Sequence, residues 1–166
     1  TAMPNLVTVG AGGTASTVAG IPFYSADTSS IYTTDVSGTD DTASGNSAYG
    51  YQAMDAITTG DNNVAIGTSA LGATNTGDSN VAVGFESMIT NTTGADNTAI
   101  GKESLKANTT GTNNVALGRQ ALFSNTTGSG SVAAGLNALK ANTTGNRNIA
   151  IGYTAYTASD TENDNI

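Results

Sequence analysis

The chain has 166 residues, with 5 basic against 13 acidic side chains and no cysteine, histidine or tryptophan. With no Lys or Arg before position 102, the sequence lacks the electrostatic footprint of a nucleic-acid partner, and without thiols it can form neither disulfides nor thiolate metal sites. Aromatic residues make up 5% and charged residues 11% of the chain, which excludes a thick Leu/Phe core but suits a thin repeat stack filled with small side chains.

Residues 1–45 carry no regular period. Residues 1–10 show no basic stretch followed by an apolar run, and nowhere does the chain approach the ~20 apolar residues of a membrane span, so neither a secretory signal nor membrane insertion is expected. Alternation in Leu6-Val7-Thr8-Val9 and in Ile21-Pro22-Phe23-Tyr24 predicts short strands between Gly-rich turns, read as an attachment region. Ser30-Ile31-Tyr32-Thr33 falls in phase with residues 64–67 and reads as a degenerate first coil.

From residue 46 a repeat takes over, and repeats decide the architecture before anything else does. Gly50, Gly67, Gly84, Gly101, Gly118, Gly135 and Gly152 are spaced 17 residues apart without slippage, and an alanine stands two residues before each. Branched residues flank those alanines, as in Val64/Ile66, Val81/Val83, Val115/Leu117 and Ile149/Ile151, with Ile100 in the same file. Each coil therefore opens with a short β-type run. Four residues after each Gly comes a second file of Met54, Leu71, Met88, Leu105, Leu122, Leu139 and Tyr156, predicting an apolar strand or bend. Asn-Thr-Thr-Gly at 91–94 recurs at 108–111, 125–128 and 142–145 and predicts the closing turn, with Gly supplying positive φ. Asn46, Asn63, Asn80, Asn97, Asn114 and Asn148, interrupted by Ser131, predict a ladder of stacked amides at the ~4.8 Å inter-strand spacing.

These patterns predict an all-β parallel β-solenoid of seven 17-residue coils over residues 46–158, closed by a flexible acidic tail over 159–166. Tyr49 and Tyr51 in the first full coil and Tyr153 and Tyr156 in the last are expected to cap its ends. Strands apolar on both faces are normally buried on both. The constant Ala file fits the roll's own narrow interior, so the larger file of Val64, Ile66, Val81, Val83, Ile100, Val115, Leu117, Ile149 and Ile151 needs cover from another copy. A closed cyclic homo-oligomer follows, three copies being the natural choice for a fibre.

Asn-Asn-Val-Ala-Ile-Gly at 62–67 and Asn-Arg-Asn-Ile-Ala-Ile-Gly at 146–152 resemble the head repeats of YadA-like trimeric autotransporter adhesins. They are even more similar to the Asn-Thr-Thr-Gly-linked repeats of phage tail-fibre and related surface proteins. The resemblance covers residues 46–156. It implies a left-handed β-roll in an intertwined or side-by-side homotrimer, located outside the cell on a virion or cell surface and serving host attachment or virion structure. The 17-residue period exceeds the usual adhesin-head length and no coiled-coil stalk pattern is present, which favours the phage side.

No catalytic constellation is legible. Without His or Cys, chemistry would fall to carboxylates, Lys/Ser or Tyr, and Asp61 and Asp78 are followed in phase by Ala95 and Thr112, so no carboxylate file continues. No cofactor and no structural calcium are expected, because the Gly-Gly-x-Gly-x-Asp pattern of calcium β-rolls is missing. Asn91, Asn108, Asn125 and Asn142 are formal N-glycosylation acceptors, but turn geometry already explains their spacing. Thr59, Thr76, Thr93, Thr110, Thr127 and Thr144 form a single hydroxyl file, narrower than the two-file plane of an ice-binding solenoid. Tyr51, Phe85 and Tyr153 follow the repeat Gly and are the candidate surface-recognition residues, able to stack on a host-surface glycan. Two further roles are open to the chain, a binding module for that glycan and a capsid-decorating or filament-forming subunit docking another virion or appendage protein through residues 1–45.

Overall fold

The computed structural model describes residues 16–18, 21–23, 31–32, 43–73, 76–157 and 161–166. Near the N-terminus β1 (Ser16–Val18) and β2 (Ile21–Phe23) form an antiparallel pair. β3 (Ile31–Tyr32) then begins an eight-stranded parallel sheet that continues in chain order through β4 (Ser47–Tyr49), β5 (Val64–Ile66), β6 (Val81–Val83), β7 (Thr98–Ile100), β8 (Val115–Leu117), β9 (Val132–Ala134) and β10 (Ile149–Ile151). From β4 to β10 the register is one of equivalents, Ala65 opposite Ala82 and Ala82 opposite Ala99. Seven strands are thus joined by turns of one 17-residue period, a parallel β-solenoid with no helix among the described residues.

The strands are short because each is bounded by backbone that no strand tolerates. A left-handed residue two positions before the strand, such as Asn62 (φ 59°) or Asp96 (φ 57°), turns the chain in. The repeat Gly after it turns the chain out, at φ +128° to +138° from Gly50 to Gly152, a region that only Gly occupies freely. Glycine is needed there for a second reason: a Cβ on Gly101 would lie 2.6 Å from the carbonyl carbon and oxygen of Gly118 in the next coil.

Inside the roll run the Ala file of the strands and the Met54-to-Leu139 file, all buried. The second file is a bend and not a strand. Met54, Leu71, Met88, Leu105, Leu122 and Leu139 sit at φ +48° to +52°, a conformation that costs an L-residue roughly 1–2 kcal/mol. Burying a Leu or Met side chain contributes about 1.5–3 kcal/mol, so burial more than offsets the strain once the coil is stacked.

The predicted amide ladder is present, fully buried. The backbone N–H of Asn63, Asn80, Asn97, Asn114 and Ser131 each donates to Oδ1 of the Asn one coil earlier at 2.8–3.1 Å. Ser131 keeps the ladder intact because its Oγ accepts from Asn148 N–H at 3.1 Å. A second ladder was not foreseen. Asn91, Asn108, Asn125 and Asn142 are also buried, and Nδ2 of each of the last three donates to Oδ1 of its predecessor at 2.8–3.1 Å. Both ladders converge on the turn glycine: Gly94 O accepts from Asn80 Nδ2 at 2.8 Å and from Asn91 Nδ2 at 2.9 Å. Those turn glycines are absent from the positive-φ set, which corrects the expectation above. What they need is space, since a Cβ on Gly94 would collide with Asn91 Oδ1 and lie 2.5 Å from Gly111 O.

Several expectations at the ends change. β3 pairs Ile31 with Ser47 and Tyr32 with Ala48, one residue off the 17-residue phase, so the first coil is shorter than the others. Residues 161–166, expected as part of a flexible tail, lie in register as the start of a further coil. Asn165 N–H donates to Asn148 Oδ1 at 3.0 Å, and Ile149 N–H donates to Asn165 O at 2.7 Å. Of the expected capping tyrosines only Tyr156 lies against the core, with its hydroxyl donating to Glu162 Oε2 at 2.6 Å. Tyr49, Tyr51 and Tyr153 project outward. The strand proposed at Leu6–Val9 and residues 158–160 lie outside the described residues; Ile21–Phe23 is a strand as expected.

Gly118→Ala is expected to destabilise the stack by several kcal/mol, because its φ of +130° is closed to alanine and its Cβ would lie 2.6 Å from Gly135 O. Asn114→Ala should cost about 1–3 kcal/mol through an unpaired Ser131 N–H, while the Gly128 carbonyl keeps the Asn125 Nδ2 donor at 3.0 Å, and Asn114→Ser less, as Ser131 already shows that a hydroxyl serves. Urea unfolding of the three variants checks the order; equal losses for Ala and Ser at 114 would refute the ladder's role.

Candidate interaction surface

Side chains alternate across a strand, and here the alternation extends past both strand ends. In the β7 coil Asn97 and Ala99 point in, while Asp96, Thr98, Ile100 and Lys102 point out. The two outward strand positions recur in every coil, giving a face two files wide and seven strands tall, with a further exposed file at the left-handed corner on one side and beyond the repeat Gly on the other. The two strand files hold the residues singled out from the sequence. Ile66, Ile100 and Leu117 are 45%, 43% and 40% exposed, Ile151 73%, Ile149 is also exposed, and Val64, Val81, Val83 and Val115 are half-buried. The structure therefore brings all nine onto one surface, outside the roll's own core.

The margins differ in chemistry. On one side runs the left-handed file that includes Asn62, Ser79, Asp96, Asn113 and Arg147; on the other runs the file that includes Tyr51, Phe85, Lys102, Arg119 and Tyr153. Tyr51 and Tyr153 are open to solvent at 73% and 75%. Phe85 is not free in the same way, because Lys102 Nζ sits 5.3 Å from its ring centroid, a cation–π contact. The three recognition candidates lie in one file but do not converge on a single site, being two, four or six coils apart.

A different face carries the polar network. Lys106 Nζ lies 2.6 Å from Glu86 Oε2 and 3.4 Å from Glu103 Oε1, Gln120 Nε2 donates to Glu103 Oε2 at 2.8 Å, and Lys140 Nζ donates to Gln120 Oε1 at 2.9 Å. Phe123 is flanked by Lys106 and Lys140 at 5.7 and 5.5 Å. The hydrogen bond from Gln120, then Lys106, lowers the Glu103 carboxyl below its ordinary range; the Glu86 carboxylate raises the Lys106 ammonium. Beside Gly72 lies a shallow notch of about 190 Å³ lined by Gln52, Asp55, Ser69, Ala73 and Ile89, and burial raises the Asp55 carboxyl there.

The remaining sequence motifs resolve into scaffolding. Asp61 Oδ1 accepts from Ser44 N–H at 2.7 Å and Asp78 Oδ1 from Asp61 N–H at 2.8 Å, so these in-phase acids hold the preceding coil's backbone. The file of Thr59, Thr76, Thr93, Thr110, Thr127 and Thr144 faces solvent, while its neighbours Thr92, Thr109 and Thr126 donate to the next coil's carbonyls at 2.9–3.0 Å. One hydroxyl file is left facing solvent, with Thr76 Oγ1 donating to Thr92 O at 3.4 Å. Among the described residues no three carboxylates gather as a metal-holding group, and no helix is long and apolar enough to cross a membrane.

No family model, curated protein or solved structure matches this chain. The outward strand face is the feature whose composition the fold itself does not account for.

Expression in a glycosylating host is expected to leave Asn91, Asn108, Asn125 and Asn142 unmodified, since their amides are buried; intact mass would reveal any occupied site and refute this placement. Because the folded Glu103 carboxyl is lowered, its contribution is present above the unfolded value and lost as pH falls through the folded one. Thermal midpoints should therefore drop below about pH 4, and Glu103→Gln should flatten that drop slightly, as befits a half-buried pair at the surface.

Proposed function

We propose that this chain is a non-catalytic structural segment of a homotrimeric fibre or surface appendage, of the kind carried by a virion, acting through rigidity and host-surface attachment. The observation that carries the reading is the outward face of the solenoid strands. Seven stacked coils leave Ile66, Ile100, Leu117, Ile149 and Ile151 exposed in adjacent files, although the roll has already filled its own core with Ala, Leu, Met and Asn. A continuous apolar strip of this kind marks an association surface on a soluble protein. Rigidity has its own support: every described coil is tied to the next by backbone ladders and buried amides, an arrangement that resists bending and shear. The repeat resemblance to phage-fibre and adhesin heads points to the same role, and the outward Tyr51 and Tyr153 offer aromatic faces for a surface glycan.

Native mass spectrometry of the full chain tests this. A trimer that dissociates when Ile100 and Leu117 are both changed to Glu, with the far-UV spectrum unchanged, is the expected result. A monomeric wild-type chain at tens of micromolar would overturn the proposal.

A further inference from the structure

We infer that the notch beside Gly72 is a binding site for one pyranose ring of an uncharged oligosaccharide. The inference gives the attachment part of the proposed function a location, on a face separate from the outward strands, and rests on that part alone.

The first observation is a glycine that the stack does not require. Gly72 stands five residues beyond the repeat Gly67, in the file of Asp55, Ile89, Lys106, Phe123 and Lys140, so stacking accepts long side chains at that position. Its φ lies outside the positive set, and a Cβ on it would meet nothing closer than 3.4 Å. By contrast, the backbone of the next coil stands 2.6 Å from a Cβ on Gly101. Neither conformation nor packing calls for glycine at 72; what its missing side chain supplies is open space.

The second observation is what faces that space. It is a gap in the side-chain file between Asp55 on the preceding coil and Ile89 on the following one, about 9.6 Å apart at two inter-strand steps. The notch of about 190 Å³ is smaller than the ~300 Å³ at which pockets for drug-sized ligands begin, and suits one six-membered ring whose neighbours stay in solvent. Around the position of a Gly72 Cβ stand three oxygens, the carbonyls of Gln52 and Ser69 at 3.4 Å and Asp55 Oδ1 at 3.6 Å. Among the described residues no group donates to either carbonyl. The Gln52 amide and Ser69 hydroxyl add groups that both donate and accept, and Ala73 and Ile89 supply an apolar side.

That combination selects the ligand. A pyranose has an apolar C–H face and a rim of hydroxyls, each able to donate one proton and to accept. Its hydroxyl protons match the three acceptor oxygens, and its C–H face matches Ala73 and Ile89. An acidic sugar would set its carboxylate against those oxygens, in a stretch of chain with no Lys or Arg before position 102. A bare cation would use the oxygens and leave the apolar side idle. Burial already raises the Asp55 carboxyl, so a hydroxyl that it accepts replaces water that the wall has in part excluded.

The test is an amide-shift titration of the isotope-labelled full chain with maltotetraose, cellotetraose, mannotetraose and N-acetylchitotetraose, and with trigalacturonate as the anionic comparison. At least one neutral sugar should shift the Ser69, Gly72 and Ala73 amides with a dissociation constant on the order of 1–10 mM, the range of a single shallow ring contact, and trigalacturonate should not. Gly72→Phe places in the gap the side chain that the same file carries at Phe123; it should weaken binding at least about tenfold with the thermal midpoint nearly unchanged. Asp55→Ala should weaken binding about threefold to tenfold and serves if Gly72→Phe does not fold, whereas Tyr153→Ala, five coils on, should have no effect. No shift with any neutral sugar at ~20 mM, well above the expected constant, or binding that persists in both Gly72→Phe and Asp55→Ala, overturns the site and leaves the trimer standing. A monomeric chain that binds at Gly72 keeps the site and overturns the trimer alone.

Discussion

Everything in this molecule follows from placing one coil directly above the next at the spacing of a parallel β-sheet. At that distance the backbone of Gly101 lies so close to that of Gly118 that a single methyl group would collide. Contact of this kind repeats at every coil and leaves no slack for a residue gained or lost, which is the physical origin of the unslipped 17-residue period. A helical repeat meets its neighbour through side chains and can absorb an insertion at the interface; a solenoid whose glycines meet backbone to backbone cannot.

Stacking like on like also selects side chains. Alanine stacks because it is small, and Leu or Met because a left-handed bend points each one inward over its predecessor. Asparagine stacks because its amide is both donor and acceptor and can bond to a copy of itself. The two buried ladders use that property differently. In the Asn63 ladder the side-chain oxygen takes the next coil's backbone N–H, whereas in the Asn108 ladder amide bonds to amide. Asp61 and Asp78 run the other way, each accepting from the coil before it. Successive coils are therefore clasped from both sides, and among the described residues Asn137 Oδ1 is the one buried side-chain polar atom left without a partner.

Period, strand positions, the interior Ala file and the first amide ladder were legible because each is a property of residue type at fixed spacing. The left-handed file at Leu105 was not, since no propensity announces a positive φ for leucine; only the packed neighbour makes it favourable. Asn91 was read as a turn former for a similar reason. Local chemistry explains Asn-Thr-Thr-Gly equally well as a solvated turn or a buried one, and the deciding signal was the substitution by Ile57 in the first coil, an apolar residue that is itself fully buried. Residues 161–166 hid their phase behind acidic composition, yet Asn163, Asp164 and Asn165 continue the files of Asn146, Arg147 and Asn148. The β3 coil hid its phase behind a one-residue shortening.

Where the repeat is strict, it records only the demands of stacking, so function has to be sought where the files vary. The interior files scarcely vary. The outward positions do: the file of Asp96 also holds Asn62, Ser79, Asn113 and Arg147, the file of Lys102 also holds Tyr51, Phe85, Arg119 and Tyr153, and mostly apolar residues fill the strand files between. Solubility alone would be served better by scattering charge over that strand face than by leaving Ile66, Ile100 and Leu117 exposed on it.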